Sequence, residues 1–121
     1  MTPLTIKQIA IAAILFAAID SIYLIIIAPY VSKMTAKIQC GEPMTMRIWA
    51  AIPVYIALAT LIQFAPSAAD AAIIGGATYA VYDFTNLALL RQYDPLIAMI
   101  DTAWGALLFA TTYKVMSYIR I

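Results

Sequence analysis

Three aspartates stand inside stretches of sequence that are otherwise soluble in lipid. Asp20 interrupts the apolar run 9–28, Asp83 lies in Tyr79-Ala80-Val81-Tyr82-Asp83-Phe84-Thr85-Asn86, and Asp101 lies in Ile100-Asp101-Thr102-Ala103-Trp104-Gly105. A carboxyl at mid-span costs roughly 2.5–3.5 kcal/mol on insertion scales. Residues that bear this cost commonly mark ion paths, proton relays or ligand sites. Carboxylates bind a proton, coordinate a hard cation through oxygen, or work in pairs as general acid and base. Asn86, three residues beyond Asp83, adds a neutral amide to the same stretch.

Composition narrows the classes further. The chain has 121 residues, of which 65% are hydrophobic and 11% charged. An average soluble domain is about 45–50% apolar and about 25% charged, so an integral membrane protein is expected, in the cell or inner membrane if the source is bacterial. The net charge is +1, which gives no basic footprint for nucleic acid. There is no histidine, which removes histidine metal sites, histidine bases and Ser-His or Cys-His catalysis. Cys40 is the single cysteine, so neither an intrachain disulfide nor a cysteine-rich metal site can form. No cofactor is evident; a bound cation or lipid is what the polar positions would accommodate.

The elements that must position the acids follow from the order of apolar runs and breaks. Thr2-Pro3 reads as an N-cap followed by proline at the first helical position. A first helix is expected over 6–28, ended by Pro29. A signal peptide would carry an apolar core of only about 7–15 residues before a small-residue cleavage site; here the apolar run resumes after Asp20, so a retained span is expected. Residues 30–47 are polar and read as a loop or short interfacial helix. A second helix is expected over 48–64, kinked by Pro53, with Trp49 and Tyr55 as interfacial aromatics. Ser67 followed by Asp70 resembles a capping box and opens a third helix over 68–90. The turn 91–95, with Asp94 as N-cap and Pro95 at the first helical position, opens a fourth over 95–117. The expectation is one all-α membrane domain over 1–121, with four transmembrane helices in an up-down-up-down bundle. Lys33, Lys37, Arg47 and Arg91 lie on the side of the first and third loops, and Lys7, Lys114 and Arg120 on the other. Four against three leans toward cytoplasmic first and third loops without deciding the orientation.

On this layout the acids share a depth. Asp20 lies eight residues before the end of its span, Asp83 seven before the end of its own, and Asp101 five after the start of the fourth helix. At the rise of an α-helix all three fall roughly 8–12 Å below one surface. They also face small residues. Ala72-x-x-x-Gly76-x-x-x-Ala80 forms a seam on the stripe of Asp83, of the kind that lets membrane helices approach closely. Asp101 shares its stripe with Trp104, Gly105, Leu108 and Thr112, and Asp20 shares its stripe with Ala13, Phe16, Ala17 and Tyr23. One polar cavity between the first, third and fourth helices is expected, opening toward the first and third loops. Its ligands would be Asp20, Asp83, Asn86 and Asp101, flanked by Tyr23, Tyr79, Tyr82, Thr85, Trp104 and Gly105. No Lys or Arg lies at the depth of the acids to neutralise them, so protons, a cation or water must do so.

The run Tyr82-Asp83-Phe84-Thr85-Asn86-Leu87-Ala88, with Asp101-x-x-Trp104-Gly105, resembles the signature of a family of small predicted membrane proteins catalogued as domain of unknown function 2177. Asp20 with Tyr23 is similar to that family's first-helix Asp-x-x-aromatic pattern, where tryptophan is more usual. The resemblance covers the whole chain. It implies four spans and a shared polar motif, and it implies no reaction.

Three functions compete for these residues. The first is binding or transport of a proton or small cation, centred on Asp83 and Asp101; four short helices make a thin protein, so a path would use a homodimer or higher oligomer. The second is a membrane enzyme or accessory subunit acting on a lipid or isoprenoid-like substrate, with paired acids as acid and base. No nucleophile or phosphate-binding pattern accompanies them, so the balance leans away from an enzyme. The third is a structural subunit in which protonated acids tie helices together through Tyr, Thr and Asn, at an average of about 0.6 kcal/mol per interhelical bond.

Overall fold

A computed structural model describes residues 6–45 and 47–119. The chain forms four helices, α1 (Ile6–Ile38), α2 (Ile48–Ile62), α3 (Ala68–Leu89) and α4 (Pro95–Ile119), and no strand occurs among the described residues. The expected cap at Thr2-Pro3 and the cation at Arg120 lie outside the described residues. The starts of α3 and α4 follow local chemistry. Ser67 is extended, and its hydroxyl oxygen accepts the Asp70 amide at 3.1 Å while its O–H donates to the Asp70 carboxylate at 2.7 Å. Asp94 caps α4 by accepting the Leu96 amide at 2.9 Å, with Pro95 as the first helical residue.

The largest departure from the sequence reading is in α1. It passes through Pro29, where an end was expected, and continues to Ile38. Proline at position 29 removes one helical donor, but the residues beyond it have something to pack on. Met34 is buried against Tyr93, Ile97 and Ala98, with Ile38 beside them, and its sulfur accepts the Asp94 amide at 3.2 Å. Tertiary packing therefore holds the last turns in helix where local sequence alone favours a break. The helix stops at Cys40 and Gly41, which have positive φ of 57° and 94°. The Gly41 amide returns to the Ala36 carbonyl at 2.7 Å, as at a glycine helix end. α2 and α3 run over Ile48–Ile62 and Ala68–Leu89, and α4 begins at Pro95.

α1 (33 residues) and α4 (25 residues) are each long and apolar enough to cross a membrane, whereas α2 is apolar but only 15 residues long. The outside of the bundle is apolar: Ile25, Ile26, Ile73 and Val81 are 66–75% exposed. That inversion of the usual surface suits a lipid solvent.

α3 and α4 form the most extensive interface. Its closest point is Gly75 against Gly105, where a methyl group added to Gly75 would overlap the Gly105 carbonyl oxygen and the Phe109 ring. The seam therefore runs through Ala71, Gly75, Tyr79 and Asp83, one residue offset from the Ala72-Gly76-Ala80 stripe expected from sequence. Gly76 is nearby but less tight, facing Ala106. α1 packs on α2 and α4, and α2 meets α3 only slightly. One core gathers Ala12, Phe16, Leu58, Ala59, Leu108 and Phe109, with the Phe16 and Phe109 rings 4.8 Å apart. The smaller cluster of Met34, Tyr93, Ile97 and Ala98 lies at the other end, beside the turn between α3 and α4. The acids lie between the two.

Candidate functional site

α1 and α4 run antiparallel, and each carries an aspartate followed three residues later by an aromatic. That spacing puts both side chains of each pair on one helical face, so the two faces meet reciprocally. The Trp104 indole N–H donates to Asp20 Oδ1 at 2.8 Å, and the Tyr23 hydroxyl donates to Asp101 Oδ1. Between the two bonds the Tyr23 and Trp104 rings stack, with centroids 4.7 Å apart and planes within 8°. Each helix thus supplies one acid, one donor and one ring to a local two-fold arrangement. Asp20 receives a further bond at Oδ2, from the Tyr55 hydroxyl of α2 at 2.6 Å. Both of its oxygens are therefore occupied, and it is buried.

The α3 side of the layer is built differently. Asp83 is completely buried, as its place on the tight seam with α4 requires. Its Oδ1 accepts from the Tyr93 hydroxyl at 2.5 Å, and its Oδ2 has no hydrogen-bond partner. The carboxyl adjoins that of Asp101. Asn86 lies against the Tyr93 hydroxyl, which itself donates to Asp83, and lines the same cavity as Asp20 and Asp101. Burial, followed by the bond donated to Asp83, pushes the Tyr93 hydroxyl well above the ordinary tyrosine range. Tyr79 lays its ring over Gly105, where an added methyl group would come within 2.5 Å of it.

The acids are thus arranged as a pair plus one. Asp20, Asp83 and Asp101 all lie near Tyr23, but only Asp83 and Asp101 adjoin, while Asp20 is turned to Tyr55 and Trp104. Among the described residues no three of the acids or Cys40 converge as a metal cage requires. Of the flanking positions, Tyr23, Tyr79, Trp104 and Gly105 shape the layer. Tyr82 is largely exposed at the edge of the adjacent cavity, and Thr85 is exposed and lines no part of it.

That cavity, about 460 Å³, is walled by α1, α3 and α4. Asp20, Tyr23, Tyr79 and Asp101 stand at one end, and Thr35, Gln39 and Leu90 at the other, level with the first and third connections. It exists because α1 leans on α4 and α2 while leaving α3 largely uncovered. Its α1 wall carries the apolar side chains Leu24, Ile27, Val31, Met34 and Ile38, while Tyr82, Asn86 and Tyr93 contribute polar groups from the other side.

Two members of this layer escape the sequence reading. Tyr55 was expected at an interface. Yet it lies seven residues into α2, roughly 10 Å below the end that faces the first connection, the depth already assigned to the aspartates. The same depth argument applied to hydroxyls would have found it. Tyr93 belongs to a turn, and nothing local indicates that its ring reaches back ten residues to Asp83.

The family model described as "Predicted membrane protein (DUF2177)" matches residues 5–119. No curated protein and no solved structure matches the chain.

Proposed function

The chain belongs to this family of predicted membrane proteins, and from that premise we propose that all four helices cross the bilayer and that the Asp83–Asp101 pair binds and releases a proton at the foot of the cavity. The observation that carries the reading is the completely buried Asp83 oxygen without a partner, next to a second carboxyl. The two adjoining carboxyls, with one buried oxygen unmatched, leave a place for one proton. A proton shared by the pair gives the idle oxygen a partner. Tyr23 and Tyr93 supply the remaining bonds, one to each acid, and the cavity, which Asp101 lines, leads from that member of the pair toward the side of the first and third connections. A proton fits this donor set better than a small cation, because Asp20 is already committed to two donors.

Passage across the whole bilayer needs more than this cavity. Below the acids the bundle is closed by Phe16, Leu108 and Phe109, all completely buried. A second copy of the chain would have to complete the path. A lipid or isoprenoid-like substrate is the second reading, and the apolar α1 wall of the cavity favours it; the acids would then act on a group carried at the end of an apolar chain.

The test uses the purified protein in detergent and in vesicles. The melting temperature of the wild type should depend on pH between about 4 and 9, the dependence being linked to the proton, and should not respond to any one cation. Asp83→Asn should flatten that dependence and abolish proton flux in vesicles carrying an imposed pH difference. A variant that keeps both the pH dependence and the flux would overturn the proposal. A cation that stabilises only the wild type would return the site to metal-ion binding.

A further inference from the structure

A second groove lies outside the acid layer, between the end of α1 and the turn that opens α4. It encloses about 710 Å³. Lys33, Lys37 and Arg91 line it, all exposed, with Asp94 as its one carboxylate. Asp94 is already engaged as the cap of α4, accepting the Leu96 amide. The groove therefore presents three cations against one committed acid. Away from the cations its wall turns apolar, through Ile27, Leu96, Ile97 and Ile100.

The gradient has a direction along the helices. From Ile27 to Lys37, α1 rises roughly 15 Å, and from Pro95 to Ile100, α4 descends roughly 8 Å. The charged end thus lies level with the connections and the apolar end lies within the span, so charge and depth together match one kind of molecule. We propose that this groove binds an anionic phospholipid, with its phosphate among Lys33, Lys37 and Arg91 and one acyl chain against Ile27, Ile97 and Ile100. Arg91 suits the phosphate through its planar fork of donors, and the two lysines serve as mobile point charges. The extension of α1 beyond Pro29 is what creates the site: a helix ending at Pro29 would carry neither lysine to the groove.

The experiment adds phosphatidylglycerol, or phosphatidylcholine with the same acyl chains, to the purified full chain in detergent. Bound lipid is counted by native mass spectrometry, and the thermal shift is read in parallel. Phosphatidylglycerol should be retained and should stabilise the wild type selectively. The triple variant Lys33→Gln, Lys37→Gln, Arg91→Gln should bind it roughly tenfold or more weakly, since each cation near a membrane surface contributes to anionic-lipid attraction. The control Lys7→Gln, Lys114→Gln, on the opposite side, should bind it as the wild type does. Should the triple variant fail to fold, Arg91→Gln alone serves, with a smaller loss expected. Equal binding of the two lipids, or an equal loss in the control, would overturn the site. Glycerol phosphate, the headgroup without chains, should give no shift where the lipid saturates; an equal shift would overturn the acyl-chain half of the proposal.

Discussion

Asp20 and Asp83 occupy the same layer of one small bundle, and their surroundings differ in kind. Asp20 sits where three helices meet, and each contributes: α1 carries the acid, α2 the Tyr55 hydroxyl and α4 the Trp104 indole. Both oxygens are matched. Asp83 sits on the α3–α4 seam, more deeply buried, with one oxygen matched by Tyr93 and the other unmatched, and its carboxyl adjoins that of Asp101. A fully bonded acid ties helices together, whereas a half-bonded acid keeps one oxygen unmatched, and the proposed proton site rests on that oxygen. Both acids are buried, and it is the number of unmatched oxygens that distinguishes them.

The comparison is most directly broken at Asp20. Asp20→Ala removes the acceptor for two donors and should lower stability by about 2–4 kcal/mol, since each buried donor left unsatisfied costs about 1–3 kcal/mol. Asp83→Asn should change stability by less than about 1 kcal/mol, because the amide oxygen can still accept from Tyr93 while the amide N–H₂ supplies the missing donor toward Asp101. Unfolding both variants in mixed micelles of mild detergent and dodecyl sulfate compares them directly. Equal losses at the two positions would remove the distinction between the fully bonded acid and the half-bonded one.

The seam beneath the pair gives the next effect. Gly105→Ala would place a methyl group 2.5 Å from the Tyr79 ring and 2.7 Å from the Gly75 carbonyl oxygen. Because one of those atoms is backbone, α3 and α4 must move apart, at a cost of about 1–3 kcal/mol for overpacking. The separation should also loosen the contact between Asp83 and Asp101 while leaving the Tyr55–Asp20 bond in place. Unfolding in the same micelles should show the loss, and the pH dependence of melting should weaken with it. An unchanged midpoint would mean that the two helices do not meet at this point.

How much of this was legible in the sequence follows from which forces are local. The cap chemistry of Ser67, Asp94 and Pro95 is local, and the starts of α3 and α4 could be read from it. The depth of each aspartate needs only helix rise and span ends, so the shared layer was legible too. The path of α1 past Pro29 was not, because it depends on Met34 meeting Tyr93 and Ile97 from the far end of the chain. The seam was placed one residue off because Ala72, Gly76 and Ala80 offer the same small-residue pattern as Ala71 and Gly75; which stripe faces α4 is decided by where Phe109 and Tyr79 fit. The reciprocal stack was half visible: both Asp-x-x-aromatic motifs are in the sequence, but their exchange of hydrogen bonds requires α1 and α4 to lie antiparallel at one level.

The smallest expected effect tests the half-bonded side from its other partner. Tyr93→Phe deletes the one hydroxyl that donates to Asp83 and should cost about 0.5–1.5 kcal/mol near neutral pH, the net worth of a typical hydrogen bond. Its pH dependence is more informative than its size. The Tyr93 hydroxyl is raised above its ordinary value by burial and by the bond to Asp83, so the folded chain holds that proton more tightly than the unfolded chain does. The contribution is complete below about pH 10, where the unfolded tyrosine is still neutral, and is lost as pH rises from there through the folded value. Wild type should therefore lose stability at alkaline pH more steeply than Tyr93→Phe, and the two curves should converge as the pH is raised. Parallel curves would mean that Tyr93 is not held by Asp83, leaving that acid with no matched oxygen and in still sharper contrast with Asp20.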